Sequence, residues 1–483
     1  MSIVKELEQR GIVAPFAAFF EQLCAIPHGS YNTKAISDYC VKFAQERGLR
    51  YMQDETNNVV IWKDGTAGRE NEPAMIIQGH LDMVCDVAPG LDIDMAVTGV
   101  VPETDGEWIW AKGTTLGADN GIAIAYALAI LDANDLSHPP MEMVFTTEEE
   151  VGMDGAHALD MSVLKARRML NMDSEEEGVF TTGCAGGATL DINIPCEKSE
   201  QEGILVELGV DGLFGGHSGV MIHLGRANGC KVMGQLLGKI GDLALVDIQG
   251  GQKDNAISNW TRAKILLSKE QADKLPQLLQ EEFDCLRKQY AQADPGLNLT
   301  WSIGEEVTRH QAASVEQSGK IVKFLDEVPY GVQKYMESLP NLPETSLNLG
   351  ILRMEEKQLY VVISLRSSAD CACANMRNQI IAMVQPTGAQ VEERGAYPGW
   401  EYNPTSALRE LCQQVYREQS GKEAKIDVIH AGLECGLFCS KIPGLDVVSM
   451  GPVMEDVHTA KERVSVASAV RVWEFTKKLL ERC

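Results

Sequence analysis

Apolar residues recur along this chain with two different periods. Over 33–47, Ile36, Tyr39, Cys40 and Phe43 fall at three- and four-residue spacing, which places them on one face of a helix. A similar helix is predicted over 14–25. Between such segments stand short apolar runs. Asn58-Val59-Val60-Ile61-Trp62, Ala74 to Gln78, 141–147 and 168–172 read as strands, and 120–132 as a helix. Strands alternating with helices predict an α/β fold. Near residue 187 the rhythm changes to two similar α+β blocks with antiparallel pairing. The first has strands over 204–211, near 244–248, 259–267 and 298–303, and helices over 225–240 and 269–291. The second has helices near 314–327 and over 372–385, a hairpin 346–354/358–366 and a strand 389–394. After Gly395-Ala396-Tyr397-Pro398 the first rhythm returns, with strands over 425–429 and 446–450 and helices over 405–418, 433–440 and 465–481. The predicted architecture is a discontinuous α/β domain, residues 1–186 and 396–483, interrupted by an α+β insert over 187–395.

Composition narrows the function without naming it. A chain of 483 residues is too long for one ordinary core, and 45% hydrophobic with 23% charged residues are globular values. The formal charge, 43 − 69 = −26, leaves no basic footprint for nucleic acid or an anionic membrane. The start, Met1-Ser2-Ile3-Val4-Lys5-Glu6-Leu7-Glu8, lacks the basic-then-apolar pattern of a signal peptide, and no run is apolar for ~18 residues. Thirteen scattered Cys without a C-x-x-C pair read as reduced thiols, mostly buried, and a cytoplasmic location is expected.

The chemistry gathers where the apolar runs end. His80, Asp82, Asp119, the run Glu148-Glu149-Glu150, Asp173 and His458 are the pieces, and strand ends are where open α/β sheets present functional groups. An isolated His after a strand is ordinarily a satisfied structural side chain. His80 has Asp82 two residues on, on the same side of an extended chain, and a carboxylate beside a ligating His fixes its tautomer. Asp119, in Gly117-Ala118-Asp119-Asn120-Gly121, could equally cap a helix. Consecutive Glu side chains after a buried strand repel one another unless cations or solvent compensate them. One ligand and one general base among them would suit a two-metal hydrolytic centre. Two imidazoles with carboxylates favour Zn²⁺ or Mn²⁺ over Ca²⁺ or Mg²⁺.

Long motifs then carry a resemblance. Gly79-His80-Leu81-Asp82-Met83-Val84, Lys112 through Gly121, Glu149-Glu150-Val151-Gly152-Met153-Asp154-Gly155, Asp173-Ser174-Glu175-Glu176-Glu177-Gly178, Gly215-Gly216-His217-Ser218-Gly219 and His430-Ala431-Gly432-Leu433-Glu434-Cys435-Gly436 resemble the M20 di-zinc peptidases, and within them the bacterial aminoacyl-histidine dipeptidases. The resemblance covers essentially the whole chain. It implies two Zn²⁺ per chain, with Mn²⁺ or Co²⁺ as substitutes. His80 and Asp173 would ligate one ion, Glu150 and His458 the other, and Asp119 would bridge them through a residue followed by a non-proline cis peptide. Asp82 would support His80. Glu149 would be the general base toward a metal-bridging water. The insert would be the family's lid domain, with His217 binding the oxyanion and Asn255, Arg366 and the Gly432 N–H holding the substrate's terminal carboxylate. The implied activity is hydrolysis of unblocked dipeptides, including Xaa-His dipeptides such as β-alanyl-histidine, by a homodimer.

Two departures bear on loop shape and fine specificity. The family commonly shows His-Ser-Pro-Asp-Glu where this chain has His458-Thr459-Ala460-Lys461-Glu462, and Pro where it has Ser258. Two other readings compete: an M20 amidohydrolase acting on acylated amino acids, and a non-catalytic binding protein of the same fold. A requirement for a free α-amine separates the first from a dipeptidase. The presence of Glu149 beside every expected ligand argues against the second.

Overall fold

The structure, a computed structural model, describes residues 2–483 and divides into two units. The first takes in the chain up to Gly183 with Tyr402–Val428 and Leu433–Cys483; the second takes in Cys184–Glu401 with Ile429–Gly432.

The first unit is built on an eight-stranded sheet. Its strands lie in the order Arg50–Gln53, Val59–Lys63, Met141–Thr146, Met75–His80, Arg168–Asn171, Asp446–Ser449, Val179–Cys184, Lys425–Ile429. Met75–His80 runs parallel to both of its neighbours, and Asp446–Ser449 runs parallel to Arg168–Asn171. These inner strands therefore end at one edge. Met75–His80 and Met141–Thr146 are buried along their whole length, which is why their apolar residues cluster, as in Met75-Ile76-Ile77 and Met143-Val144-Phe145, rather than alternate with polar ones. The helix Ala118–Asp132 is buried on nearly all sides. Its close seat against the strand requires Gly79, where an added Cβ would stand 2.8 Å from Ala123 Cβ. Tyr126, fully buried, packs edge-on against Phe16 and donates its hydroxyl to the Ala469 carbonyl at 2.8 Å, tying this helix to Val466–Arg482. In Lys34–Glu46, Ile36, Cys40 and Phe43 of the expected face are buried, while Tyr39 is half-buried.

A four-stranded sheet in the same unit does not emerge from the sequence pattern. It orders Met454–Glu455, Arg463–Ser465, Trp108–Ala111 and Pro102–Thr104, all antiparallel. Strands of two to four residues carry no readable period. They nonetheless set the bases of two loops, 112–117 and 456–462.

The second unit is a nine-stranded antiparallel sheet with the helices Gly229–Ile240, Lys269–Gln289, Val315–Glu327 and Asp370–Val384. The two blocks meet along Ala244–Gly250 and Pro343–Met354, which pair at Gln249↔Arg353 and Gly250↔Leu352. A capping box, with Ser268 and Gln271 satisfying each other's backbone N–H, starts the longest helix. The strand expected over 298–303 runs from Asn298 to Ala313, paired along Lys198–Asp211. Ile429–Gly432, placed by the sequence pattern with the returning α/β segment, joins the second unit instead. His430 Nε2 lies 2.7 Å from Ser346 Oγ, and Gly432 approaches Tyr397 so closely that a Cβ would stand 2.8 Å from its ring.

Candidate metal centre and carboxylate pocket

Three strand ends of the first unit bring acids and imidazole together. His80 closes its strand, 1% exposed, and its Nε2 lies 3.1 Å from Asp119 Oδ1 and 3.5 Å from Asp173 Oδ1. Its Nδ1 lies 3.0 Å from the Asp82 backbone carbonyl and 3.5 Å from the Asp82 carboxylate. The carboxylate of Asp82 does further work: it accepts the N–H groups of Glu149 at 3.0 Å and Glu150 at 3.3 Å and the Ser30 hydroxyl at 2.9 Å. Asp82 thus fixes the backbone of the Glu pair relative to His80. Asn120 performs a similar task, accepting the His80 N–H at 3.3 Å and donating to Asp173 Oδ1 at 3.0 Å. The Asp119–Asn120 peptide is cis.

His458 sits at the tip of the hairpin between Met454–Glu455 and Arg463–Ser465, with a left-handed φ of 63° that a non-glycine residue rarely adopts. Its Nε2 lies 3.2 Å from Asp119 Oδ2 and 3.0 Å from Glu150 Oε1. Two donor groups result, His80–Asp119–Asp173 and Asp119–Glu150–His458, each with ligand atoms within 4.8 Å of one another. They share Asp119, one through Oδ1 and the other through Oδ2.

The electrostatics show what the site lacks. Among the described residues no Lys or Arg pairs with Asp119, Glu149, Glu150 or Asp173. Burial pushes the Asp173 carboxyl up to about 6. Burial, then the charge of Asp173, holds Glu149 well above the usual carboxylate range. Burial opposes ionisation of Asp119, yet hydrogen bonds from His458 and His80 hold its carboxyl below the ordinary value. Those with Asp119 and Glu150 push His458 up to about 11. Among the described residues, positive charge at these carboxylates comes from protons on the two imidazoles, and divalent cations are the natural replacement. Imidazole nitrogen with carboxylate oxygen, in two groups sharing one carboxylate, fits a pair of transition-metal ions.

Glu148 and Glu149 differ in engagement. Glu148, with φ 57°, accepts the Tyr31 N–H and the Thr33 hydroxyl. The Glu149 carboxylate has no such anchor among the described contacts.

The second unit carries the remaining expected residues. Gly216–His217 pairs with Ala256–Ile257, setting His217 opposite Ala256 and next to Asn255, whose carbonyl accepts the Ser218 N–H at 2.8 Å. The Asn255 side chain is exposed. His217 Nδ1 accepts the N–H groups of Gly219 at 3.1 Å and Val220 at 3.3 Å, which leaves the ring hydrogen on Nε2. Burial, then the charge of Arg366, lowers its pKa, so the ring is a neutral donor. Arg366, opposite Ser346 in its sheet, donates to Tyr397 Oη at 2.8 Å, while its Nε is buried without a partner.

Sequence reasoning missed several residues. Tyr397 buttresses both Arg366 and Gly432, but stands in a stretch read only as a boundary. Glu434 is fully buried and accepts from Gln78 Nε2 at 2.5 Å and Thr146 Oγ1 at 2.7 Å, and burial pushes its carboxyl up to about 7. Its place in a quoted motif was the available signal. Glu462, noted only within a departing motif, is buried against the loop that precedes Asp119.

Known proteins resemble the chain throughout. It is 35% identical over 473 residues to the cytosol non-specific dipeptidase of Escherichia coli (strain K12), covering 97% of each. It superposes on the crystal structure of aminoacylhistidine dipeptidase from Vibrio alginolyticus with a TM-score of 0.90 at 35% identity, over 97% of this chain and 96% of the other. Aminopeptidase PepT from Bacillus cereus shares the fold at 14% identity, TM-score 0.56, over 97% of each chain. The profile described as Peptidase family M20/M25/M40 matches residues 76–482, and the chain belongs to that peptidase family.

Proposed function

We propose that this peptidase hydrolyses unblocked dipeptides, Xaa-His dipeptides such as β-alanyl-histidine among them. The observation that carries the reading is the pair of donor groups sharing Asp119, with an unanchored Glu149 beside them, in a chain 35% identical to a cytosol non-specific dipeptidase along nearly its whole length. His80 and Asp173 would hold one ion, Glu150 and His458 the other, and Asp119 both, with Zn²⁺ the expected metal. Bound there, two such ions supply Lewis acidity and lower the pKa of a water. Glu149 takes the proton of the attacking water and returns it to the leaving amine. His217, donating from Nε2, stabilises negative charge on the scissile oxygen. Arg366, with the Asn255 side chain and the Gly432 N–H, holds the terminal carboxylate of the substrate. We also infer an insert acting as a lid, a cytoplasmic homodimer and no nucleic-acid or membrane partner. Among the described residues no helix is long and apolar enough to cross a membrane. Sedimentation of the purified protein checks the dimer.

A panel of dipeptides, N-acetylated dipeptides and tripeptides tests the substrate class. Free dipeptides are expected to be cut far faster than either other set; preferred cleavage of the acetylated set would replace this reading with an acylamino-acid hydrolase.

Arg366 gives a sharper prediction. Its unpartnered Nε is a buried donor ready for a carboxylate oxygen. Arg366→Ala should weaken dipeptide kcat/KM by ~1.5–3 kcal/mol, the worth of a charged hydrogen bond. Amidating the substrate C-terminus should cause a similar loss in the wild type and little further loss in the variant. Additive losses in this cycle would show that Arg366 does not hold the carboxylate.

A further inference from the structure

Glu462 is 1% exposed, and its two carboxylate oxygens accept four consecutive backbone N–H groups. Oε2 takes Leu116 at 2.7 Å and Gly117 at 2.9 Å; Oε1 takes Ala118 at 2.8 Å and Asp119 at 3.1 Å. No side chain shares the carboxylate among the described contacts. The four donors form the turn that delivers Asp119, where Gly117 takes a left-handed φ of 74° and Asp119 itself is non-helical.

Glu462 also belongs to the other side of the site. It lies four residues after His458 in the hairpin tip, where its own N–H closes a turn on the Thr459 carbonyl at 3.0 Å. That tip is held again by Asp86, whose carboxylate accepts the Ala460 N–H at 2.9 Å. The hairpin base pairs with Trp108–Ala111, from which the chain leads into the Asp119 turn. One buried carboxylate therefore bolts together the two loops that carry Asp119 and His458; the first loop serves both donor groups and the second serves one.

We propose that Glu462 is a positioning residue for the metal centre, fixing the orientation of the carboxylate of Asp119 toward His80 and His458. This rests on the reading of the two donor groups as metal sites. Four charge-assisted hydrogen bonds hold the backbone so that Oδ1 and Oδ2 face different imidazoles, an arrangement a loose turn would average away. An amide at this position turns a donor toward N–H groups, losing at least two of the four bonds. An Asp is one methylene short of reaching them all.

The matched control is Glu142. It is also a buried carboxylate accepting only backbone N–H groups, those of Lys165 and Ala166, but it lies near the start of its strand, the end remote from Glu149. Zn²⁺ affinity of the metal-free full chain is measured by competition with a chromophoric chelator, for wild type, Glu462→Gln, Glu462→Asp and Glu142→Gln, each checked for folding by circular dichroism. Glu462→Gln is expected to weaken Zn²⁺ binding ~10–100-fold, as loss of a group supporting the ligands does, Glu462→Asp less, and Glu142→Gln not at all even where its thermal midpoint falls as far. If Glu462→Gln does not fold, Glu462→Asp carries the same comparison. Wild-type affinity in a folded Glu462 variant, or equal weakening in Glu142→Gln, overturns the inference. A wild-type chain that takes up no Zn²⁺ overturns the metal-site reading beneath it.

Discussion

Glu149→Gln is expected to cut dipeptide turnover by ~10²–10⁴-fold while leaving the fold and both donor groups in place. Three consecutive Glu residues follow the strand Met141–Thr146, and the structure gives each a different situation. Glu150 is committed to His458. Glu148 is committed to the loop at Tyr31 and Thr33, where its left-handed backbone turns it. Among the described contacts Glu149 is held through its backbone, its N–H donating to Asp82 and its carbonyl accepting from Gly152 and Met153. Its carboxyl is raised by burial and by Asp173. A group so placed accepts a proton readily and gives it up when the neighbouring field changes, as general acid–base work requires. Glu148→Gln should instead loosen the Tyr31–Thr33 loop and cost stability. Steady-state kinetics with elemental analysis of the same preparations separates the two. A Glu149→Gln enzyme near wild-type turnover, beside an inactive Glu148→Gln enzyme, would move the base by one residue.

The parts of this molecule legible in its sequence are those where one physical constraint dominates. Met75–His80 and Met141–Thr146 are buried on both faces, so their apolar residues cluster as Met75-Ile76-Ile77 and Met143-Val144-Phe145 and the polar residues that follow stand out. Illegible parts are those where partners distant in sequence decide. Residues 304–311 are largely exposed and polar, with no alternation, and become strand only because Lys198–Asp211 lies alongside. The hairpin at 454–465 is built from strands too short to show a period, yet it aims His458. Gly432 belongs with Tyr397 through a close approach that only a residue without a side chain permits. Burial of the charged side chains Glu434 and Glu462 is likewise invisible locally, because the groups that donate to each carboxylate lie hundreds of residues away. Residue types at the site could be read from the chain; the loops and buried acids that aim them could not.

Asp119→Ala is expected to abolish binding of both ions, whereas His458→Ala should lose chiefly one. The reason is the sharing of a single carboxylate: Oδ1 faces His80 and Oδ2 faces His458. Without Asp119, each group keeps only two of its three donors, too few to compete with water for a divalent ion at ordinary concentrations. Without His458, the group formed by His80, Asp119 and Asp173 remains whole. Uptake should also release protons. In the metal-free chain the hydrogen bonds with Asp119 and Glu150 push His458 up to about 11, so it carries a proton at neutral pH that a cation must displace. Affinity at this group should therefore fall as pH falls. Titration calorimetry in buffers of different ionisation enthalpy reads the proton release, and elemental analysis reads the stoichiometry. Wild-type protein purified without chelator should approach two ions per chain, and His458→Ala about one. A wild type that never exceeds one ion under excess zinc or manganese would refute the dinuclear centre, and with it the role of Asp119 as a bridge.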